Sequence, residues 1–255
     1  MAMATKHGQA PSPAFIFDLD GTLLDSVYQH VLAWRQALQH AGIELPVWKL
    51  HRRIGMSGGL MVTALLRELN RTLPDPVLAE LPELHARAYE AQLDSVRPLP
   101  GTRELLAELS AHDVPWMIAT SGSARFARPA LAKLGIDGEV PMVTRDAVRY
   151  AKPDPDLFLA AADQLGVDIR SAFVVGDAVW DMLAARRAGA LGVGLLSGGY
   201  GREELLFSGA FRVYEDPADL LAHLDEVGVR RPLREHQRPR DGAPADKCAG
   251  EPLAA

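Results

Sequence analysis

The sequence predicts an α/β fold: a parallel sheet whose strands alternate with helices, with an all-helical insertion after the first strand. Short apolar runs of strand length recur at 14–17, 114–119, 172–175 and 190–195. The later runs are separated by stretches with apolar residues at helical spacing, and alternation of this kind builds βαβ units. The long interval from the first run to the second holds no strand-like segment.

Taken in order, Ala14-Phe15-Ile16-Phe17 reads as a buried strand stopped by Asp18 and by a turn at Gly21. Ser26 is placed to cap a helix that runs to His40 and ends at Gly42. Further helices are expected at about 59–69 and 76–93, so 26–96 reads as a helical cap with hinges near 24–28 and 95–100. The sheet core then occupies 12–25 and 97–228. Its helices are expected at 103–111, where Leu105, Leu106 and Leu109 share a core face, and at 124–134 and 156–165. From about Val229 the chain is rich in Arg, Pro and Gly, and 229–255 reads as a disordered tail. The arginines between 230 and 240 read as solvated rather than as a nucleic-acid patch.

At 48% hydrophobic and 24% charged, the chain has ample material for a core. A net charge of −6 gives no reason to expect a nucleic acid or an anionic membrane as partner. No apolar run approaches the roughly 18 residues of a membrane span, and residues 1–13 show no hydrophobic targeting segment. Cys248 is the only cysteine, which rules out an intramolecular disulfide and a thiolate metal site. The expected setting is cytoplasmic, with monomer and homodimer both open.

Four stations carry chemistry. The first is Asp18-Leu19-Asp20-Gly21-Thr22, where two acids at a strand end can both reach a ligand if Gly21 lets the strand turn. Adjacent carboxylates repel, so the pair calls for a cation or a raised pKa. One acid can attack phosphorus while the other passes protons. The second is Thr120-Ser121-Gly122, a hydroxyl and small residues before a helix, suited to an anion. The third is Lys152, held between Ala151 and Pro153, and the fourth is Gly176-Asp177 with Asp181, oxygen ligands for a hard cation. Each has a plain structural alternative: a strand-end turn, a capped loop, a solvated surface lysine, and a helix cap at Asp177. Together, in this order at one edge of a parallel sheet, they suit a phosphoryl group and Mg²⁺.

These residues resemble the haloacid-dehalogenase-like (HAD) superfamily, in the α-helical-cap subgroup that holds phosphoglycolate phosphatases and β-phosphoglucomutase-like enzymes. Residues 15–26 match its first motif throughout, and Thr120, Lys152-Pro153, and Gly176-Asp177 with Asp181 match the other three. The resemblance implies a Rossmann-like core with Asp18 as nucleophile and Asp20 as general acid/base. It further implies Mg²⁺ held by the Asp18 carboxylate, the Asp20 carbonyl and Asp177, with Asp181 acting through water or by orienting Lys152. Thr120, Ser121, Gly122 and Lys152 would bind phosphoryl oxygens, and the substrate would be a small phosphorylated metabolite.

Asp20 argues against a dehalogenase, and Lys49, the only lysine in the cap, is not in the setting of a Schiff-base lysine. The rival within the family is a sugar-phosphate mutase, since His30 and Trp34 resemble mutase cap positions. Mutases often carry Val where this chain has Thr22, and Gly55-Met56-Ser57-Gly58-Gly59 lacks an arginine. A non-catalytic phosphate-binding module would have no use for the Asp18–Asp20 pair. The cap loop is expected to select substrate through Arg53, Gly55, Ser57 and Gly58.

Overall fold

A computed structural model of the chain describes residues 13–136 and 139–229. Its centre is a six-stranded, wholly parallel sheet in the order β5-β4-β1-β6-β7-β8. The strands are β1 (Ala14–Phe17), β4 (Trp116–Ala119), β5 (Met142–Val143), β6 (Ala172–Gly176), β7 (Leu191–Leu195) and β8 (Ala210–Tyr214). A separate antiparallel pair, β2 (Leu24–Asp25) with β3 (Arg97–Pro98), carries the chain into and out of the helical insertion.

The alternation of side chains along β1 explains the two core layers. Phe15 and Phe17 point to one face, against α5 (Thr102–Ala111) through Leu105, Leu106 and Leu109. Ala14 and Ile16 point to the other, against α7 (Asp156–Leu165) and α8 (Val179–Ala188). Both faces of the strand are buried, which is why it reads as an unbroken apolar run. The flanking helices α6 (Ala124–Ala132), α9 (Arg202–Ser208) and α10 (Pro217–Ala222) complete the layers.

Four helices lie between β2 and β3: α1 (Val27–His40), α2 (Val47–His51), α3 (Gly58–Glu68) and α4 (Asp75–Glu90). They have their own apolar cluster, which includes Val31, Trp34, Leu38, Leu50, Met61, Leu65 and Leu81.

Several elements differ from expectation. Strand β4 begins at Trp116, since Pro115 has no amide to give the ladder, although its carbonyl still accepts from Phe15 N. Helix α4 ends at Glu90, and the chain then tightens into a 3-10 turn at Leu93–Ser95. Ser26 stands at the cap position of α1, yet its hydroxyl makes no cap bond there. Val229, placed by composition in the tail, is buried in the core cluster. The rest of that expected tail, 230–255, lies outside the described residues.

Register is what positions the site. Phe17 is level with Ile118 on one side and with Val175 on the other. The residues just beyond, Asp18, Thr120 and Asp177, therefore leave the sheet at one edge. The chain order reverses beside β1, and open α/β sheets bind ligands at such a point.

Candidate active site

Four buried charged side chains meet at this edge. The Lys152 ammonium lies 2.5 Å from Asp18 Oδ1 and 2.7 Å from Asp181 Oδ1, with no exposed surface. Asp18, Asp177 and Asp181 each offer an oxygen within 4.8 Å of the others. Thr22 Oγ1 donates to Asp177 Oδ1 at 3.0 Å. Asp177 does not cap α8: the cap residue is Ala178, whose amide donates to Asp181 Oδ2 at 3.0 Å.

Glycines make room for this crowding. A Cβ on Gly198 would lie 1.7 Å from Asp177 Oδ2, and one on Gly21 would lie 2.5 Å from the same atom. Gly21 also turns with φ +86, a conformation that favours glycine, directly after the Asp18–Asp20 pair.

Three carboxylates around one ammonium leave negative charge uncompensated in a buried space. Burial pushes the Asp18 carboxyl up to about 7 against the pull of Lys152, with Asp181 and Asp20 adding repulsion. Asp177 is raised well above the ordinary range by burial and by repulsion from Asp181 and Asp18. Burial would lower Lys152, but the charges of Asp18 and Asp181 outweigh it and hold the ammonium protonated. Hard oxygen donors with surplus negative charge fit a divalent cation, which would relieve both raised carboxyls.

Asp20 faces the helical insertion instead. Ser26 Oγ donates to Asp20 Oδ1 at 2.6 Å, which explains the missing helix cap. His30 Nε2 sits 3.2 Å from the same oxygen. Burial alone would raise Asp20, but His30 and the Ser26 hydroxyl prevail and hold it below its ordinary value. Behind His30, Nδ1 meets His85 Nε2 at 3.1 Å, and Trp34 stacks on His85 with ring centres 4.3 Å apart.

The Thr120 loop is closed on itself, with Gly122 N donating to Thr120 Oγ1 at 3.0 Å. Ser121 Oγ donates across to the Gly55 carbonyl at 3.0 Å and so ties the loop to the insertion. A cavity of about 240 Å³ opens above Asp18, Asp20 and Thr120.

Of the expected cap residues, Arg53, Gly55 and Gly58 line the cavity. Ser57 is not among the lining residues; it stands at the cap position of α3, and its amide points to the Lys152 carbonyl at 3.4 Å. Arg52 turns away to Glu204 on α9. Sequence reasoning missed His85, Phe126 and Arg145, all of which line the cavity. For His85 a signal existed: His30 and Trp34, and His85 and Tyr89, are four apart on helices, so each pair shares a face. Arg145 had none, since its place depends on how a 3-10 turn after β5 packs.

An α/β sheet that gathers buried acids, an ammonium and a hydroxyl at its switch point belongs to the class that moves anionic groups with a divalent cation. Residues 13–189 match the model of the haloacid dehalogenase-like hydrolase family, and the chain belongs to that family. A phosphoglycolate phosphatase of Agrobacterium fabrum is 30% identical over 190 residues, covering 73% of this chain and 82% of that protein. The fructose-1-phosphate phosphatase YqaB of Escherichia coli is 34% identical over 182 residues, 68% of this chain and 91% of that one. Among solved structures, a hydrolase from Pseudomonas syringae matches with a TM-score of 0.83 at 55% identity, covering 84% of this chain and 99% of its own.

Proposed function

We propose that this protein is a Mg²⁺-dependent phosphatase that moves the phosphoryl group of a small metabolite to Asp18 and then to water. The observation that carries this reading is the buried cluster of Asp18, Asp177 and Asp181 around Lys152, beside Thr120. A divalent cation among these carboxylates supplies charge neutralisation for the transferring group. Asp18, Asp177 and the Asp20 carbonyl would hold it, with Asp181 steering Lys152.

Asp18 attacks phosphorus as the bond to the leaving oxygen breaks, and Asp20 delivers a proton to that oxygen. Water then attacks the aspartyl phosphate, Asp20 takes its proton, and Asp18 returns to a carboxylate. Thr120 and Lys152 hold the phosphoryl oxygens. The contact with His30 keeps Asp20 ionised, the form needed to activate water. To act first as an acid, Asp20 has to receive a proton, and His30 stands where one can be passed.

We read residues 26–96 as a cap hinged at the β2–β3 pair, with the loop from Arg53 to Gly59 covering the substrate. A cytoplasmic setting accords with this reading, and among the described residues no helix is long and apolar enough to cross a membrane. The mutase alternative is not favoured, because Arg52 and Arg53 are engaged by Glu204 and Glu68 and the Agrobacterium and Escherichia relatives reported above are named phosphatases.

The test is hydrolysis of p-nitrophenyl phosphate and of a phosphorylated-metabolite panel, with and without Mg²⁺. Cation-dependent release of inorganic phosphate is expected. Protein inert under both conditions would favour a binding module, and exchange between sugar phosphates outpacing phosphate release would favour the mutase.

A further inference from the structure

The cavity walls are largely apolar, with Trp34, Met56, Met61, Pro82 and Phe126 among them. Two arginines also line it, Arg53 and Arg145, and they are not equivalent. The Arg53 guanidinium is taken up by the Glu68 carboxylate and the Lys49 carbonyl. Arg145 has no ion pair among the described residues. Its guanidinium donates from Nη1 to the Val148 carbonyl at 2.9 Å, which leaves most of its five donors unused.

Its backbone, by contrast, is fixed. Arg145 N donates to the Gly122 carbonyl at 3.0 Å, and Thr120 N to the Val143 carbonyl at 3.0 Å. Arg145 thus stands on the same piece of structure as the Thr120 loop, at a set distance from the phosphoryl position. A half-buried cation facing an apolar-walled cavity pays for its desolvation only when an anion joins it.

We propose that Arg145 is a specificity-determining residue that binds a second oxyanion, a carboxylate or another phosphate, on the leaving part of the substrate. The proposal rests on the phosphatase reading above. Its planar fork suits either oxyanion, and the apolar walls suit the short carbon body between the two charged ends. Specificity is then set partly from the sheet side of the cavity, beyond the cap loop.

Two matched pairs test it: 2-phosphoglycolate against glycerol 1-phosphate, and fructose 1,6-bisphosphate against fructose 1-phosphate. In Arg145→Gln, the kcat/KM ratio of the charged over the neutral member should fall roughly ten- to a hundredfold in one pair or both. A fall in the first pair identifies a carboxylate, a fall in the second a phosphate. Arg145→Lys, which keeps charge and loses the fork, should fall less. The same pairs are titrated by calorimetry, with Mg²⁺ present, in an Asp18→Asn background with and without Arg145→Gln. That arm reads Arg145 without turnover, so inactivity of the wild type would sink the phosphatase reading alone. Ratios and affinities that stay within roughly twofold across both pairs would overturn the assignment of Arg145.

Discussion

Lys152 shows how far a residue's surroundings can depart from its type. A lysine next to a proline reads locally as a surface cation, yet this one has no exposed surface and bridges two acids. Removing it by Lys152→Ala leaves three buried carboxylates without an ammonium. We expect turnover to be lost and stability to drop by about 3–5 kcal/mol in urea unfolding, with part of the loss recovered in Mg²⁺. An unchanged unfolding midpoint in metal-free buffer would show that the cluster protonates instead. Asp18→Asn should behave in the opposite way for stability. The Asp18 carboxyl is raised in the folded state, so it binds its proton more tightly there than in the unfolded chain. Its contribution is then most favourable at low pH and declines as pH rises from about 4 to about 7. At pH 8 in chelator, Asp18→Asn should therefore be as stable as wild type or more so, by up to an order of 2–4 kcal/mol, while turnover is abolished. A less stable Asp18→Asn protein, or one with wild-type rates, would contradict that account. Asp18, Asp177 and Lys152 were legible in the sequence because strand ends and motif order place them; Arg145 was not, because only tertiary packing brings it to the cavity.

The segment from His51 to Ser57 is fastened to the sheet layer by polar contacts. His51 Nε2 meets the Gly198 carbonyl at 2.8 Å, and Arg52 forks onto Glu204 with its guanidinium 4.1 Å above the Tyr200 ring. The Arg52 carbonyl accepts from Tyr200 Oη at 2.7 Å and from Trp180 Nε1 at 3.2 Å. The glycines at 55, 58 and 59 suggested a loop that selects substrate; the contacts that hold the segment come from residues more than a hundred positions away, which no local pattern reveals. Tyr200→Phe keeps the ring and removes one donor, at a cost of about 1 kcal/mol. Amide exchange across 52–57 should quicken severalfold while that of β1 and β6 stays as in wild type. Equal exchange in variant and wild type would mean the hydroxyl adds nothing to closure. Gly58 tests the other side of the loop: a Cβ there would sit 2.6 Å from Trp34 Cζ2. Gly58→Leu must displace that ring, so preference among natural substrates should shift more than the rate on p-nitrophenyl phosphate. Proportional losses on every substrate would make the position structural only.

At the scale of the molecule, the central strands β1, β4 and β6 were readable because nearly all of their residues are buried on both faces, which favours unbroken apolar runs. The edge strand β8 escaped notice because Phe211 and Arg212 face outward, and β5 because two residues carry no period. The way the insertion meets the sheet was not readable at all. Part of that seam is apolar, where Ala33, Ala88 and Tyr89 join the sheet's buried cluster and Phe126 packs edge-on to His85 and Tyr89, and its rim is polar. Arg125 on α6 reaches Glu83 at 2.6 Å and Glu90 at 3.2 Å on α4, and Lys133 reaches Asp94 at 3.2 Å. These pairs are largely exposed, so each adds little and salt screens it. The apolar clusters of the two parts, by contrast, are insensitive to salt of this strength. If the insertion is a lid, raising NaCl from about 0.05 to about 0.5 M should loosen the seam and leave both cores intact. We expect KM to change with salt, amide exchange to quicken along the facing turns of α4 and α6, and the thermal midpoint to hold. In Arg125→Ala the salt dependence of KM should flatten, because the screened contacts are already gone. Exchange that rises in unison through β1, β6 and α1 would show the two parts opening as one body, and the hinge at β2–β3 would have no basis.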